Sequence, residues 1–177
     1  DLWIYQEIVY ECRPDVIIEC GTWHGGSALY LANLCDVLKR GMVITIDINR
    51  WDGLPKHPRI DYVVGSSTDE AVVQYVANEI EGRVMVILDS DHTKEHVLRE
   101  LELYSHFVTN GQYLIVEDSN IHGHPVRREL PPGPWEAIEE WLPTQDDFTQ
   151  DREREKLLLT FNPGGYLKRT KHGTLCV

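Results

Sequence analysis

Val16-Ile17-Ile18-Glu19-Cys20-Gly21-Thr22-Trp23-His24-Gly25-Gly26-Ser27 decides the reading of the fold. Val16, Ile17 and Ile18 are consecutive β-branched residues, which suits a strand covered on both faces. The glycines after them allow a tight turn. Ala28, Leu31, Ala32, Cys35 and Leu38 then recur at helical spacing. A strand, a glycine turn and a helix in that order open a doubly wound sheet. In such sheets ligands bind where strand C-termini meet helix N-termini.

The alternation continues outward from this unit. Residues 1–12 place Ile4, Ile8 and Cys12 on one helical face, and Pro14 breaks that helix. Downstream of the turn, Gly41 stops the second helix before a buried strand at Met42–Ile46. Ile60–Val64 reads as a short third strand. Val72, Val73, Val76 and Ile80 make a helix face closed by Gly82. Val84–Leu88 is the fourth strand. Val97, Leu98, Leu101, Tyr104 and Val108 line a helix ended by Asn110-Gly111, and Tyr113–Val116 is the fifth strand. Residues 119–134 hold four prolines, two glycines, two histidines and two arginines, and so predict a long loop. Pro134 opens a helix bearing Trp135, Ile138 and Leu142. The charged stretch Asp146–Lys156 reads as solvated. Leu157–Phe161 and Tyr166–Arg169 flank Asn162-Pro163-Gly164-Gly165 and predict a terminal antiparallel hairpin. The expectation is one α/β domain over residues 1–177, with five parallel strands and a final antiparallel pair.

Composition narrows the function. With 17 Lys and Arg against 29 Asp and Glu, the formal net charge is −12. So acidic a chain is a poor grip for nucleic acid or an anionic membrane. No apolar run approaches the ~20 residues that span a bilayer. Cys12, Cys20, Cys35 and Cys176 show neither C-x-x-C pairing nor zinc spacing, and read as free thiols of a cytoplasmic protein. The sequence begins with Asp1 rather than Met and is expected to be part of a longer chain. No signal peptide is visible, and an upstream targeting segment stays open.

The glycine turn carries the first chemical signal. A dinucleotide fingerprint wants G-x-G-x-x-G. Here Gly21 and Gly26 hold the outer positions and Trp23 the middle one. An indole there would obstruct a pyrophosphate, so a nucleoside ligand without one fits better than NAD. Asp47 ends the second strand, 21 residues past Gly26, where an acid accepts hydrogen bonds from ribose hydroxyls. Otherwise it is a solvated strand end. Gly65-Ser66-Ser67-Thr68-Asp69 ends the third strand where an adenine could lie, although Ser67-x-x-Glu70 also reads as a capping box.

Carboxylates supply the second signal. Asp89, Ser90, Asp91 and His92 follow the fourth strand, and Glu117-Asp118 the fifth. Neighbouring strands would bring Asp89, Glu117 and Asp118 together, and crowded carboxylates repel unless a cation lies between them. Oxygen ligands favour Mg²⁺, with Mn²⁺ or Ca²⁺ as substitutes. Asp91 is a second ligand candidate or the cap of the helix starting near Thr93. His92, three residues past Asp89, could take a proton from a substrate hydroxyl, or be structural. His24, His122 and His124 carry weaker versions of that suggestion. Arg127 and Arg128 read as a solvated pair or an anion grip.

These blocks, together with Phe161-Asn162-Pro163-Gly164-Gly165-Tyr166-Leu167, resemble the cephalosporin hydroxylase / rhamnosyl O-methyltransferase family over nearly the whole chain. The resemblance implies a Rossmann-like class I methyltransferase fold and an enzyme dependent on S-adenosylmethionine (SAM). It places Glu19, Gly21, Trp23 and Ser27 around the methionine part of SAM, Asp47 at the ribose, and Ser66, Ser67 and Thr68 by the adenine. Asp89, Glu117 and Asp118 would bind Mg²⁺, with Asp89 also counted beside the cofactor and Asp91 as a further ligand candidate. His92 stands where the similar catechol-type enzymes place a basic catalytic residue, commonly lysine. No His-x-Asp…His iron triad is visible.

The expected function is Mg²⁺-dependent O-methylation of a small hydroxylated natural product or sugar, with the 119–134 loop closing over the substrate. Alternatives are an NAD-dependent oxidoreductase, a SAM- or metabolite-binding module without activity, and an interaction scaffold. A homo-oligomer is a further expectation, with Trp3 and Tyr5 as interface candidates.

Overall fold

Short apolar runs buried on both sides need cover on both sides, and the chain supplies it. The computed structural model describes residues 1–170. Within them, β1 (Val16–Cys20), β2 (Met42–Asp47), β3 (Ile60–Val64), β4 (Val84–Leu88) and β5 (Tyr113–Val116) run parallel. β6 (Phe148–Gln150) and β7 (Tyr166–Arg169) complete a seven-stranded sheet in the order β3-β2-β1-β4-β5-β7-β6, with β7 antiparallel to both neighbours. The order reverses between β1 and β4, both of whose C-terminal ends face one crevice.

Alternate residues of each strand enter two separate apolar layers. Ile18, Ile44, Val86 and Leu114 pack with Val76, Leu101 and Ile138, from helices α3 (Glu70–Glu79), α4 (Lys94–Tyr104) and α5 (Pro134–Trp141). Ile17, Val43, Met85 and Ile115 pack with Ile8 and Leu31, from α1 (Leu2–Cys12) and α2 (Gly26–Leu38). Burying each such side chain is worth about 1.5–3 kcal/mol. The sheet is therefore held on both faces and presents a fixed rim of strand ends.

The C-terminal hairpin differs from its expectation. β7 is where the sequence put it, but Leu157–Phe161 is not a strand, and Leu158 and Leu159 are exposed. The partner of β7 is β6, at the start of the stretch expected to be solvated. Phe148 decides this, being buried against Trp141 with ring centroids 5.3 Å apart. Tyr5, expected at an interface, is buried, and its hydroxyl accepts from Asn162 Nδ2 at 3.3 Å. Trp3 is exposed. Cys12, Cys20 and Cys35 are free thiols, whereas Cys176 lies outside the described residues. Among those residues no helix is long and apolar enough to cross a membrane.

Candidate active site

Gly21 sets the geometry of the rim. Its φ of +105° belongs to glycine, and a Cβ there would lie 1.8 Å from the Asp89 carbonyl oxygen. The turn after β1 thus rests directly on the end of β4, where Asp89 N donates to Cys20 O at 2.7 Å. Two adjoining cavities open on either side of this contact. The smaller, of about 530 Å³, is lined by Asp47, Trp51, Ser66, Ser67 and His96 among others. The larger, of about 730 Å³, is lined by Ser27, His92, Glu117, Asp118 and Phe161 among others. Gly21, Trp23, Asp89 and Ser90 line both and form the wall between them.

Asp47 closes β2 and holds the glycine turn. Its carboxylate accepts from Trp23 N at 2.9 Å and Asn49 N at 2.8 Å. Burial opposes its ionisation, but these backbone donors prevail and hold the carboxyl below its usual range. Trp23 takes a left-handed conformation, φ +43°, that leaves its indole 67% exposed. The indole packs on the His24 ring at 4.9 Å between centroids, and His24 meets Trp51 edge-on at 5.2 Å. Glu19 is buried behind this wall, with Thr45 Oγ1 donating to its Oε2 at 2.6 Å. Burial pushes its carboxyl up to about 7 against the opposing bonds from Ser27 and Thr45.

The serine-rich end of β3 divides in two. Ser66 lines the smaller cavity and pairs with Thr68 at 2.9 Å, leaving Thr68 off the cavity wall. Ser67 does not cap α3. Asp69 does, accepting from Ala71 N at 2.9 Å, because Ser67 is buried and donates to Glu100 Oε1.

Asp89, His92 and Asp118 converge in the larger cavity, their ligand atoms all within 4.8 Å of one another. His92 Nε2 lies 3.5 Å from Asp89 Oδ1 and 3.6 Å from Asp118 Oδ2. It is buried, with no hydrogen-bond partner among the described residues. Burial works against its protonation, yet the two carboxylates raise its pKa overall. Burial, reinforced by Asp89, raises Asp118. Glu117 lines the same cavity, and burial pushes it up to about 7. Asp91 neither joins the cluster nor caps α4: its Oδ1 accepts from Thr93 N at 2.8 Å in a turn ahead of the helix, whose N-cap is Thr93. Two carboxylates facing one point fit a divalent cation, and oxygen donors suit Mg²⁺.

Asn162 carries a role that its sequence block did not reveal. It is fully buried, and its Oδ1 accepts from Asp118 N at 3.0 Å, fixing the strained φ of +53° at Asp118. Gly165 lets that turn reach β5, since a Cβ there would lie 2.2 Å from Val116 O. The 119–134 loop packs on α5 instead of over the cavities. His124 stacks on Trp135 at 4.8 Å and pairs with Glu136 at 2.7 Å, and Arg127 pairs with Glu129.

Comparisons with known proteins agree with this architecture. The family model described as rhamnosyl O-methyltransferase/CmcI matches residues 1–170. Rhamnosyl O-methyltransferase of Mycobacterium tuberculosis H37Rv is 43% identical over 178 residues, covering 96% of this chain and 73% of that protein. Among solved structures, apo CmcI-N160 superposes with a TM-score of 0.73 at 21% identity, covering 97% of this chain and 71% of that one. CmcI-D160 with Mg and SAM gives 0.70 at 21% identity, covering 96% and 70%. At such identities the structural likeness concerns the fold.

Proposed function

The chain belongs to the rhamnosyl O-methyltransferase/CmcI family, and from that premise we propose that it transfers the methyl group of SAM to a hydroxyl of a sugar or natural-product substrate, with Mg²⁺ as the divalent cation. The observation that carries this reading is the wall of Gly21, Trp23, Asp89 and Ser90 shared by two cavities. A methyl donor on one side and an acceptor oxygen on the other would meet at that wall. The relatives carry the same chemistry in their names, as rhamnosyl O-methyltransferases, and CmcI-D160 is solved with Mg and SAM.

SAM would occupy the smaller cavity, its ribose hydroxyls donating to Asp47 and its adenine lying by Ser66 and Ser67. The methionine end would pass Gly21 and Trp23 toward Ser27, with Glu19 behind. Asp89 and Asp118 would hold the cation, while Glu117, expected as a third ligand, lines the same cavity but does not join their cluster. A cation bound there supplies positive charge beside the acceptor hydroxyl and makes it more acidic. His92 takes the hydroxyl proton on Nε2. The oxygen then forms a bond to the methyl carbon as the carbon–sulfur bond breaks, leaving S-adenosylhomocysteine. Most of the rate comes from alignment, because the attack must be in line across the shared wall.

Calorimetric titration of SAM, with and without Mg²⁺ and with NAD as control, tests the cofactor. Micromolar binding of SAM and none of NAD is expected. Binding of NAD, or of neither ligand by folded protein, would overturn the reading.

A further inference from the structure

Glu100 is completely buried, on the apolar face of α4 with Val97, Leu101 and Tyr104. Its Oε1 accepts from Ser67 Oγ at 2.5 Å and from Ser90 Oγ at 2.6 Å. His96 Nε2 lies 3.3 Å from the same oxygen and 3.2 Å from Ser67 Oγ. Its other oxygen, Oε2, is buried with no partner among the described residues. Tyr104 fastens the same corner, its hydroxyl donating to Ser67 O at 2.8 Å.

A buried carboxylate is costly, and an apolar residue of similar size would serve the core better. What Glu100 gains is outside the core. Ser67, Ser90 and His96 all line the smaller cavity. They come from three separate pieces of chain: the β3–α3 connection, the turn after β4, and the first turns of α4. Neither serine lies in a strand or helix, so regular hydrogen bonding does not fix their side chains. One oxygen reaches all three from behind.

We propose that Glu100 is a positioning residue for the cofactor, which acts through Ser67, Ser90 and His96 to set the shape of the nucleoside half of its cavity. This rests on the methyltransferase reading above. Of the three groups that Glu100 holds, only Ser90 also lines the larger cavity, so removal of Glu100 should be felt chiefly in cofactor binding.

The test measures binding of S-adenosylhomocysteine and of adenosine to the full chain by calorimetry, and KM for SAM and kcat in turnover. Glu100→Leu is expected to weaken both ligands about tenfold, the loss of one positioned charged hydrogen bond. Glu100→Gln keeps an acceptor for the serines and is expected to lose about threefold. KM for SAM rises in parallel, while kcat at saturating SAM stays within about twofold. Ser90→Ala should cost less in the Glu100→Leu background than in the wild type, because the two act as a unit. Unchanged adenosine affinity in folded Glu100→Gln, or strictly additive effects with Ser90→Ala, would overturn the proposal. So would a fall in kcat at unchanged KM. If Glu100→Leu does not fold, Glu100→Gln and Ser90→Ala decide it. A wild-type chain that binds neither ligand would refute the methyltransferase reading itself, and this proposal with it.

Discussion

His92 Nε2 sits 3.5 Å from Asp89 Oδ1 yet forms no hydrogen bond, buried between that carboxylate and the one on Asp118. An imidazole so placed can receive a proton from a group lying against the carboxylates. His92→Gln is therefore expected to lower kcat by about 10²–10⁴. SAM affinity should change less than about twofold, since His92 does not line the smaller cavity. Turnover kinetics and calorimetry on the same preparation check both halves.

With Asp89 and Asp118 proposed to hold the cation, turnover is expected to depend on it. Chelation should abolish methyl transfer and added Mg²⁺ restore it. Asp118→Asn keeps the side chain's shape but removes a charge, and should raise the Mg²⁺ concentration for half-maximal rate about tenfold or more. Metal titration of initial rates reads this directly. Rates unaffected by chelation would refute the assignment of these carboxylates.

Gly21→Ala should destabilise the chain by about 3 kcal/mol or more, because the added Cβ meets backbone at a conformation that L residues rarely adopt. Gly26→Ala is the control, since a Cβ there meets nothing within 4 Å. Urea unfolding of both variants makes the comparison.

Glu19 predicts a pH dependence. Burial raises its carboxyl from 4.5 to about 7 in the fold. Below the unfolded value both states are protonated and the full stability is present. As pH rises through 4.5 to about 7, the unfolded chain releases its proton first and stability is lost. Glu19→Gln cannot titrate. Its stability relative to the wild type should therefore rise by about 3 kcal/mol between pH 4 and pH 8. Denaturant unfolding of metal-free protein at the two pH values checks the sign. Glu117, raised by burial to about 7, adds to the wild-type slope and is common to both chains.

Apolar runs made β1, β2, β4 and β5 legible, because strands covered on both faces are dominated by apolar residues, whereas the edge strand β3 carries Asp61 and is only half-buried. The rim acids were legible for a related reason: in a parallel sheet the residue after each strand falls on the same edge. The terminal strand pairing was not. Leu157-Leu158-Leu159 looks more like a strand than Phe148-Thr149-Gln150 does, and only the packing of Phe148 on Trp141 reverses that preference. Ser67-x-x-Glu70 fitted a cap locally, but a buried carboxylate 33 residues away claimed the hydroxyl. Glu100 itself did leave a signal. It falls three residues after Val97 and four before Tyr104, so helical spacing alone puts a charge on the core face.

The contact of Gly21 with Asp89 has a thermodynamic consequence. The loop that would receive the cofactor and the strand end that would hold the cation are packed without a gap, so neither can shift alone. Any coupling between their occupancies is then a single free energy that acts in both directions. SAM should tighten Mg²⁺ by the same factor by which Mg²⁺ tightens SAM, and an experiment that measures either number fixes the other.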